Sequence, residues 1–380
     1  MANVVVVGGG TGGAAAARSL AARLSGKHKV TLVEKEAEVF YQPSFLQLMV
    51  GRRQISDLSR SIANLRGAGV DVVIDRLSAV DADRRQIRLE KDKLSYDVLV
   101  LAAGADASIP DPPELGKSGF NLYTPDGALK IWEAVEKLES GEVVLVAAAL
   151  PFKCPPALYE AALILRSFFT RRGRWGNISI TVYSPETTPS ENTGIRPSRY
   201  IMRALSERGI QLHCDRHLES VDVKRKLLRF SDGQTANFDL LFYIPRHHCP
   251  EFVRKSGMTD ESGWVAADPL TLRTGFPDIY AIGDVNQVRL PSGHTLYKAG
   301  AVAHFQGLVA ADNIAARLLG HEPKRLFGGK SGCVIDAGDT AFAMAGDIYR
   351  RKPNFIMFPS SRGWLAVKWL TERQWLRYHG

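Results

Sequence analysis

The chain opens on an unbroken apolar run, Val4 to Val7, that ends in Gly8-Gly9-Gly10 and passes into a small-residue segment, Ala14 to Leu24. Continuous rather than alternating apolar runs belong to strands buried on both faces, as in a parallel sheet covered by helices. The pattern predicts a strand, a tight turn, a helix able to approach that strand closely, and a second strand at Lys29 to Glu34. Short strands are expected at Val70 to Val73 and Ile87 to Leu89, around a turn at Asp81 to Arg85. Tyr96 to Ala102 is another buried run, closing on Ala103-Gly104-Ala105 before Pro110, Pro112 and Pro113 break the chain. The same rhythm returns: a strand at Val143 to Val146, a helix at Leu158 to Phe169 and a strand at Ile178 to Tyr183. A helix at Ser198 to Arg208 follows, then strands at Ile210 to Cys214 and Asp239 to Ile244, and a helix at Ala301 to Leu319. From Gly332 onward the pattern predicts short strands and then an aromatic, basic tail.

Two such halves look like related mononucleotide-type units, and the first carries recognisable chemistry. Gly8, Gly10 and Gly13 match G-x-G-x-x-G directly after a strand and at the opening of a helix. The glycines serve the tight turn, the close approach of a pyrophosphate, and the packing of helix on strand. The helix N-terminus then offers partial positive charge to the phosphates. Glu34, about 20 residues on at the end of the second strand, is placed for ribose hydroxyls, with Lys35 beside it. Downstream, DIYAIGD ends in Gly283 and Asp284, a carboxylate suited to a ribitol hydroxyl, so the dinucleotide expected is FAD rather than NAD. Gly104, at the end of the third buried strand, joins the cofactor-side candidates.

The second half lacks what the first has. After Val143-Val144-Leu145-Val146 comes AAALPFKCPPALYEAA, with no glycine to let a second pyrophosphate approach the backbone. Cys154, beside Pro155 and Pro156, stands in that turn instead, which implies one flavin and a reactive sulfur without a pyridine nucleotide. The expected class is therefore α/β with two Rossmann-like domains of the FAD/NAD(P)-binding type and a C-terminal amphipathic, membrane-facing tail. Residues 1–110 and 240–320 are read as a discontinuous FAD-binding domain, and 111–239 as the second domain, carrying Cys154. Residues 321–380 are read as the C-terminal region.

At 380 residues, 45% hydrophobic and 23% charged, the chain is an ordinary globular length and composition. A net charge of +9 favours an anionic partner or surface, but the cations are dispersed and no nucleic-acid motif is present. No apolar run reaches ~18 residues, and no export signal is expected ahead of the first strand. The four cysteines, Cys154, Cys214, Cys249 and Cys333, show no zinc spacing, nor do His247, His248 and His304, so no metal is expected. Cys249 and Cys214 read as incidental thiols, the latter in the core.

PFKCPPALYEAA, RHHCPEFVRKSGMTDESGWVAADPLTL, YKAGAVAHFQGLVAADNIA and SGCVIDAGDTAFA resemble the sulfide:quinone oxidoreductases and the flavoprotein subunit of flavocytochrome c sulfide dehydrogenase. The likeness spans Val4 to about Arg350. It implies that Cys154 and Cys333 form a redox disulfide on the flavin face, attacked by hydrosulfide, with Lys153 lowering the thiol pKa. It implies an acid at Glu160 and a lysine, Lys298, at the flavin edge where a cation stabilises the reduced ring. One departure matters: no cysteine precedes Cys154, so FAD is expected to be noncovalent.

The tail sets Trp364, Leu365, Trp369, Leu370 and Trp375 among Arg362, Lys368, Arg373 and Arg377. Such a segment suits the membrane interface, and a membrane quinone would enter beside it. The reading is thus a peripheral enzyme on the cytoplasmic side of the cell membrane, taking sulfide and quinone, releasing polysulfide or sulfane sulfur, and admitting a homo-oligomer. Rival readings are a type II NADH:quinone oxidoreductase-like enzyme and a non-catalytic flavin-binding redox sensor.

Overall fold

A computed structural model describes residues 1–107 and 109–379. Two five-stranded parallel sheets dominate it. The first runs in the order Ile279–Ala281, Val98–Leu101, Asn3–Val7, Lys29–Glu34, Asp71–Ile74. The second runs Phe120–Asn121, Leu240–Ile244, Gly141–Ala147, Ile178–Tyr183, Gln211–His213. Both central strands are buried along nearly their whole length, as their continuous valine and leucine runs require.

Each unit also carries a three-stranded antiparallel meander, Leu77–Asp81 to Ser95 in the first and Leu218–Asp222 to Asn237 in the second. The strand Leu240–Ile244, assigned from the sequence to the first unit, lies in the second sheet, where Val143 faces Leu240 and Val146 faces Tyr243. Its physical counterpart is Val98–Leu101, the strand that follows the meander of the first unit. The chain re-enters the first sheet at Ile279–Ala281.

The first helix, Thr11–Leu24, is built of small residues because it is pressed from two sides. A Cβ on Gly12 would stand 2.8 Å from the Ala303 carbonyl oxygen, and one on Gly307 would stand 2.4 Å from that of Gly12. This interlock seats the helix Gly300–Leu318 against the dinucleotide turn. A second unit helix, Pro156–Arg171, fills the core with Leu158, Tyr159, Leu163 and Phe169, and the sequence marks its start with Pro155 at the cap and Pro156 at the first helical position.

The helix Pro125–Lys137 went unread in the sequence, although Thr124 caps it and Pro125 opens it. Three antiparallel strands, Lys330–Asp336, Ala341–Asp347 and Asn354–Ser361, then lead into the C-terminal helix Gly363–Tyr378. Among the described residues no helix is long and apolar enough to cross a membrane.

Candidate active site

A cavity of about 1440 Å³ runs from the glycine turn to the C-terminal sheet and helix. At one end Gly8 takes φ +103°, and a Cβ there would lie 2.3 Å from the Ala102 carbonyl oxygen. Gly13 is tighter still, its Cβ position 1.8 Å from the Gly8 carbonyl oxygen. Gly10 has nothing within 4 Å of that position and faces the cavity. No side chain caps the helix that starts at Thr11, so its first amides are free to meet an anion.

Glu34 is committed at both oxygens. Oε2 accepts from the Gly9 amide at 2.6 Å and Oε1 from the Lys35 amide at 2.8 Å. Both Glu34 and Lys35 line the cavity, as does Gly104 at φ +72°. Gly283 adopts φ +70° and donates its amide to Gln306 Oε1 at 2.7 Å, which holds the turn carrying Asp284. Asp284 Oδ1 is buried without a hydrogen-bond partner, although the residue lines the cavity. An open glycine cradle at one end and an unpaired buried carboxylate oxygen at the other fit the FAD expected from the sequence.

Lys298 departs from expectation. Its side chain points away from the cavity: Nζ donates to the carbonyls of Asp284 at 2.8 Å and Asn286 at 3.0 Å and lies 3.4 Å from the Trp264 ring centroid. Burial pulls its pKa down to about 8. The residue therefore braces the Asp284 turn from behind, where two carbonyls and a ring face compensate its charge, and its own carbonyl accepts the Cys154 amide at 2.5 Å.

Cys154 sits at φ +49° in the turn after the strand Gly141–Ala147, a left-handed conformation that costs a β-carbon-bearing residue. Cys333 lies mid-strand in Lys330–Asp336, opposite Met344. Both line the cavity and are free thiols in this structure. Burial pushes both thiol pKa values up, that of Cys333 further because Cys154 is close by. Cys154 is pulled back most by the Lys368 ammonium and less by Lys153. Lys153, the expected neighbour, spends its ammonium on Gln42 Oε1 at 2.6 Å, 5.3 Å from the Tyr123 ring centroid.

Lys368 is thus a residue the sequence reading assigned to the wrong environment. It was grouped with the membrane-facing cations, yet its side chain is only 17% exposed and its ammonium contacts Glu160 Oε1. Burial lowers its pKa to about 8, against the opposing pull of Cys154 and Glu372. Glu160, 3% exposed, lies on the helix after Cys154 and lines the cavity, so the pair stands beside the sulfur. Glu372, one turn on from Lys368, accepts from Ser44 Oγ and pairs with Arg53 at 3.0 Å.

The tail as a whole is divided. Glu372, Trp375 and Leu376 are buried, and Trp375 packs on Tyr41 with centroids 5.3 Å apart. Trp369, Leu370 and Val367 face outward at 40%, 56% and 40% exposure, near exposed Ile356 and Phe358 of the adjoining strand. Gly380 lies outside the described residues.

In the second unit the position of a nucleotide-binding acid is closed. Glu186, just past the strand Ile178–Tyr183, is 3% exposed and accepts from Tyr159 Oη at 2.6 Å. Burial raises its pKa to about 7. Cys249 is buried, its pKa raised by burial to about 12, whereas Cys214 is half-buried rather than core.

A family described as pyridine nucleotide-disulphide oxidoreductase matches residues 2–146 and 160–307. The chain is 25% identical to the mitochondrial sulfide:quinone oxidoreductase of Mus musculus, over 92% of this chain and 79% of that protein. It is 23% identical to the sulfide-quinone reductase of Aquifex aeolicus, over 89% of this chain and 82% of that one. An NADH dehydrogenase-like protein of Mycobacterium tuberculosis is 33% identical, over only 40% of this chain and 38% of its own length. The solved sulfide:quinone oxidoreductase of Aquifex aeolicus superposes over 100% of this chain and 91% of that chain, with a TM-score of 0.89 at 21% identity.

Proposed function

Because the chain belongs to the pyridine nucleotide-disulphide oxidoreductase family, we propose that it is an FAD-dependent oxidoreductase that oxidises sulfide and reduces a membrane quinone. The observation that carries this reading is Cys154. A thiol at φ +49° occupies the glycine-free turn where a second nucleotide would need a cradle, and it shares its cavity with Cys333 and the first glycine turn.

In the oxidised enzyme Cys154 and Cys333 form a disulfide. Hydrosulfide attacks one sulfur, making a persulfide there and expelling the other as a thiolate, so sulfide loses two electrons that reside on the thiolate. Bound FAD would supply the two-electron acceptor that links the cysteine pair to the quinone. Lys368, the strongest attraction acting on Cys154, favours the thiolate form, and contact with Glu160 fixes that lysine in place. A second hydrosulfide can attack the outer sulfur of the persulfide and leave with it as polysulfide or sulfane sulfur, freeing the second cysteine thiolate. Closing the two cysteines again as a disulfide gives up the electron pair that a bound FAD would take. Asp284 supplies an acceptor for a ribitol hydroxyl, and the Lys298 brace holds it in place.

The exposed Val367, Trp369, Leu370, Ile356 and Phe358 form an apolar face suited to the membrane interface on the cytoplasmic side, from which a quinone would arrive. An NADH-oxidising alternative has some support in the relatives named for NADH dehydrogenase activity. Against it stand the glycine-free turn and Glu186, whose carboxylate is buried against Tyr159. Anaerobic titration separates the two readings: sulfide should bleach the flavin absorbance stoichiometrically and NADH should leave it unchanged. Bleaching by NADH with none by sulfide would reverse the assignment.

A further inference from the structure

The C-terminal helix does not end in solvent. Its last turn lies over the glycine turn of the first helix. Trp375 Nε1 donates to Thr11 Oγ1 at 3.0 Å, and Thr11 is the first residue of that helix. Arg18, further along it, donates through Nη1 to the Tyr378 carbonyl at 2.6 Å and sets its guanidinium 4.6 Å from the Tyr378 ring centroid.

His379 completes the contact. Its ring stacks on Trp375 with centroids 3.8 Å apart and planes 23° from parallel, and the residue is 1% exposed. Nδ1 lies 3.0 Å from the Trp375 carbonyl oxygen, which only accepts, so Nδ1 carries the proton. Burial lowers the ring's pKa to about 4, which keeps it neutral. Nε2 is turned toward the Gly9 carbonyl, itself an acceptor, and has no hydrogen-bond partner. A buried nitrogen in that condition is rare in a folded protein and asks for an explanation. Trp375 and His379 line the cavity together with Gly8, Gly10 and Thr11.

We propose that the segment Trp375–His379 is a strap belonging to the dinucleotide site. This rests on the FAD reading given above. Trp375 is a positioning residue that fixes Thr11 at the first turn of the helix facing the pyrophosphate. His379 is a second positioning residue, which holds Trp375 by its stack and its Nδ1 bond and presses the last turn of the helix onto the glycine turn. Flavin binding and docking of the C-terminal helix therefore favour each other, and by linkage to the same extent.

The test uses full-length apo-protein, with FAD affinity read from flavin fluorescence for the parent, Trp375→Phe and His379→Phe. Phenylalanine keeps an aromatic ring and apolar volume but removes the nitrogen. Each change should raise the Kd about tenfold, the loss of one hydrogen bond. Saturating FAD should also slow tryptic cleavage after Arg373 and Arg377, both exposed on this helix, at least severalfold in the parent. Should a variant fold poorly, that protection of the parent decides the matter alone. A parent that binds no FAD would overturn the cofactor reading and the strap with it. A parent that binds FAD, with both variants within about twofold of it and no tryptic protection, would overturn the strap alone.

Discussion

Replacing Lys368 by Met would test the arrangement around Cys154 at its most informative point. The substitution keeps length and apolar volume and removes only the cation, leaving Glu160, with a side chain 5% exposed, without its ion-pair partner. Breaking a buried pair by deleting one partner costs about 3–5 kcal/mol of folding stability. Glu160 then relieves part of that cost by taking up a proton, so its folded pKa rises above the unfolded value. A raised folded pKa means the native state binds more protons, and the deficit of Lys368→Met should shrink as pH falls through that window. Removing both charges, in Lys368→Met with Glu160→Gln, should restore much of the stability.

The thiol responds differently. Lys368 is absent from both the single and the double variant, so in each the Cys154 pKa should rise further and its thiolate fraction at fixed pH should fall. Denaturant unfolding at several pH values reads the first effect. The pH dependence of iodoacetamide alkylation at Cys154, followed by mass spectrometry on reduced protein, reads the second. A single variant with parental stability and a parental alkylation profile would refute the placement of Lys368 beside both Glu160 and Cys154.

Other expectations follow from the same geometry. Gly13→Ala places a methyl 1.8 Å from the Gly8 carbonyl oxygen and should yield protein without flavin absorbance and with a lowered melting temperature. Cys154→Ser and Cys333→Ser should each abolish bleaching by sulfide with FAD still bound, and the double variant should be little worse than either, since the sulfurs act as one unit. Acid precipitation should release all flavin into the supernatant without proteolysis, because no cysteine precedes Cys154 to tether it. Trp369→Ser with Leu370→Ser should weaken pelleting with anionic liposomes while sparing sulfide-driven bleaching, and salt should weaken the parent's binding by screening its cations. Deleting the whole helix would be a poorer test, because Trp375 and Lys368 would leave with the exposed face.

The parts legible in the sequence are those specified by neighbours along the chain. Val4 to Val7, the glycines after them and Glu34 all lie within one strand-turn-helix-strand unit, where periodicity and spacing suffice. Cys154 was legible as a glycine's substitute in a turn whose position was already known. What stayed hidden was set by packing between distant segments. Lys368 reads as a surface cation on an amphipathic stretch until the helix docks beside Glu160. Lys298 reads as a free cation until two carbonyls and the Trp264 face are seen to claim it. Glu186 carries no local signal that Tyr159 will cover it. The strand Leu240–Ile244 repeats the pattern of Val98–Leu101, and only pairing decides which sheet receives it.

The covered Glu186 and the glycine-free turn before Tyr159 bear on what this scaffold could become. The turn between Ala147 and Pro156 cannot be both a phosphate cradle and the seat of a thiol, since the first needs bare backbone where the second needs Cys154. Restoring a nicotinamide site would mean changing that turn, uncovering Glu186 and shortening Tyr159 together, and each step alone leaves a polar group stranded or a sulfur missing. On the proposed function, a thiol and a nicotinamide cradle would compete for this one turn. On that function, a turn committed to Cys154 would also keep nicotinamide electrons from entering through this second unit.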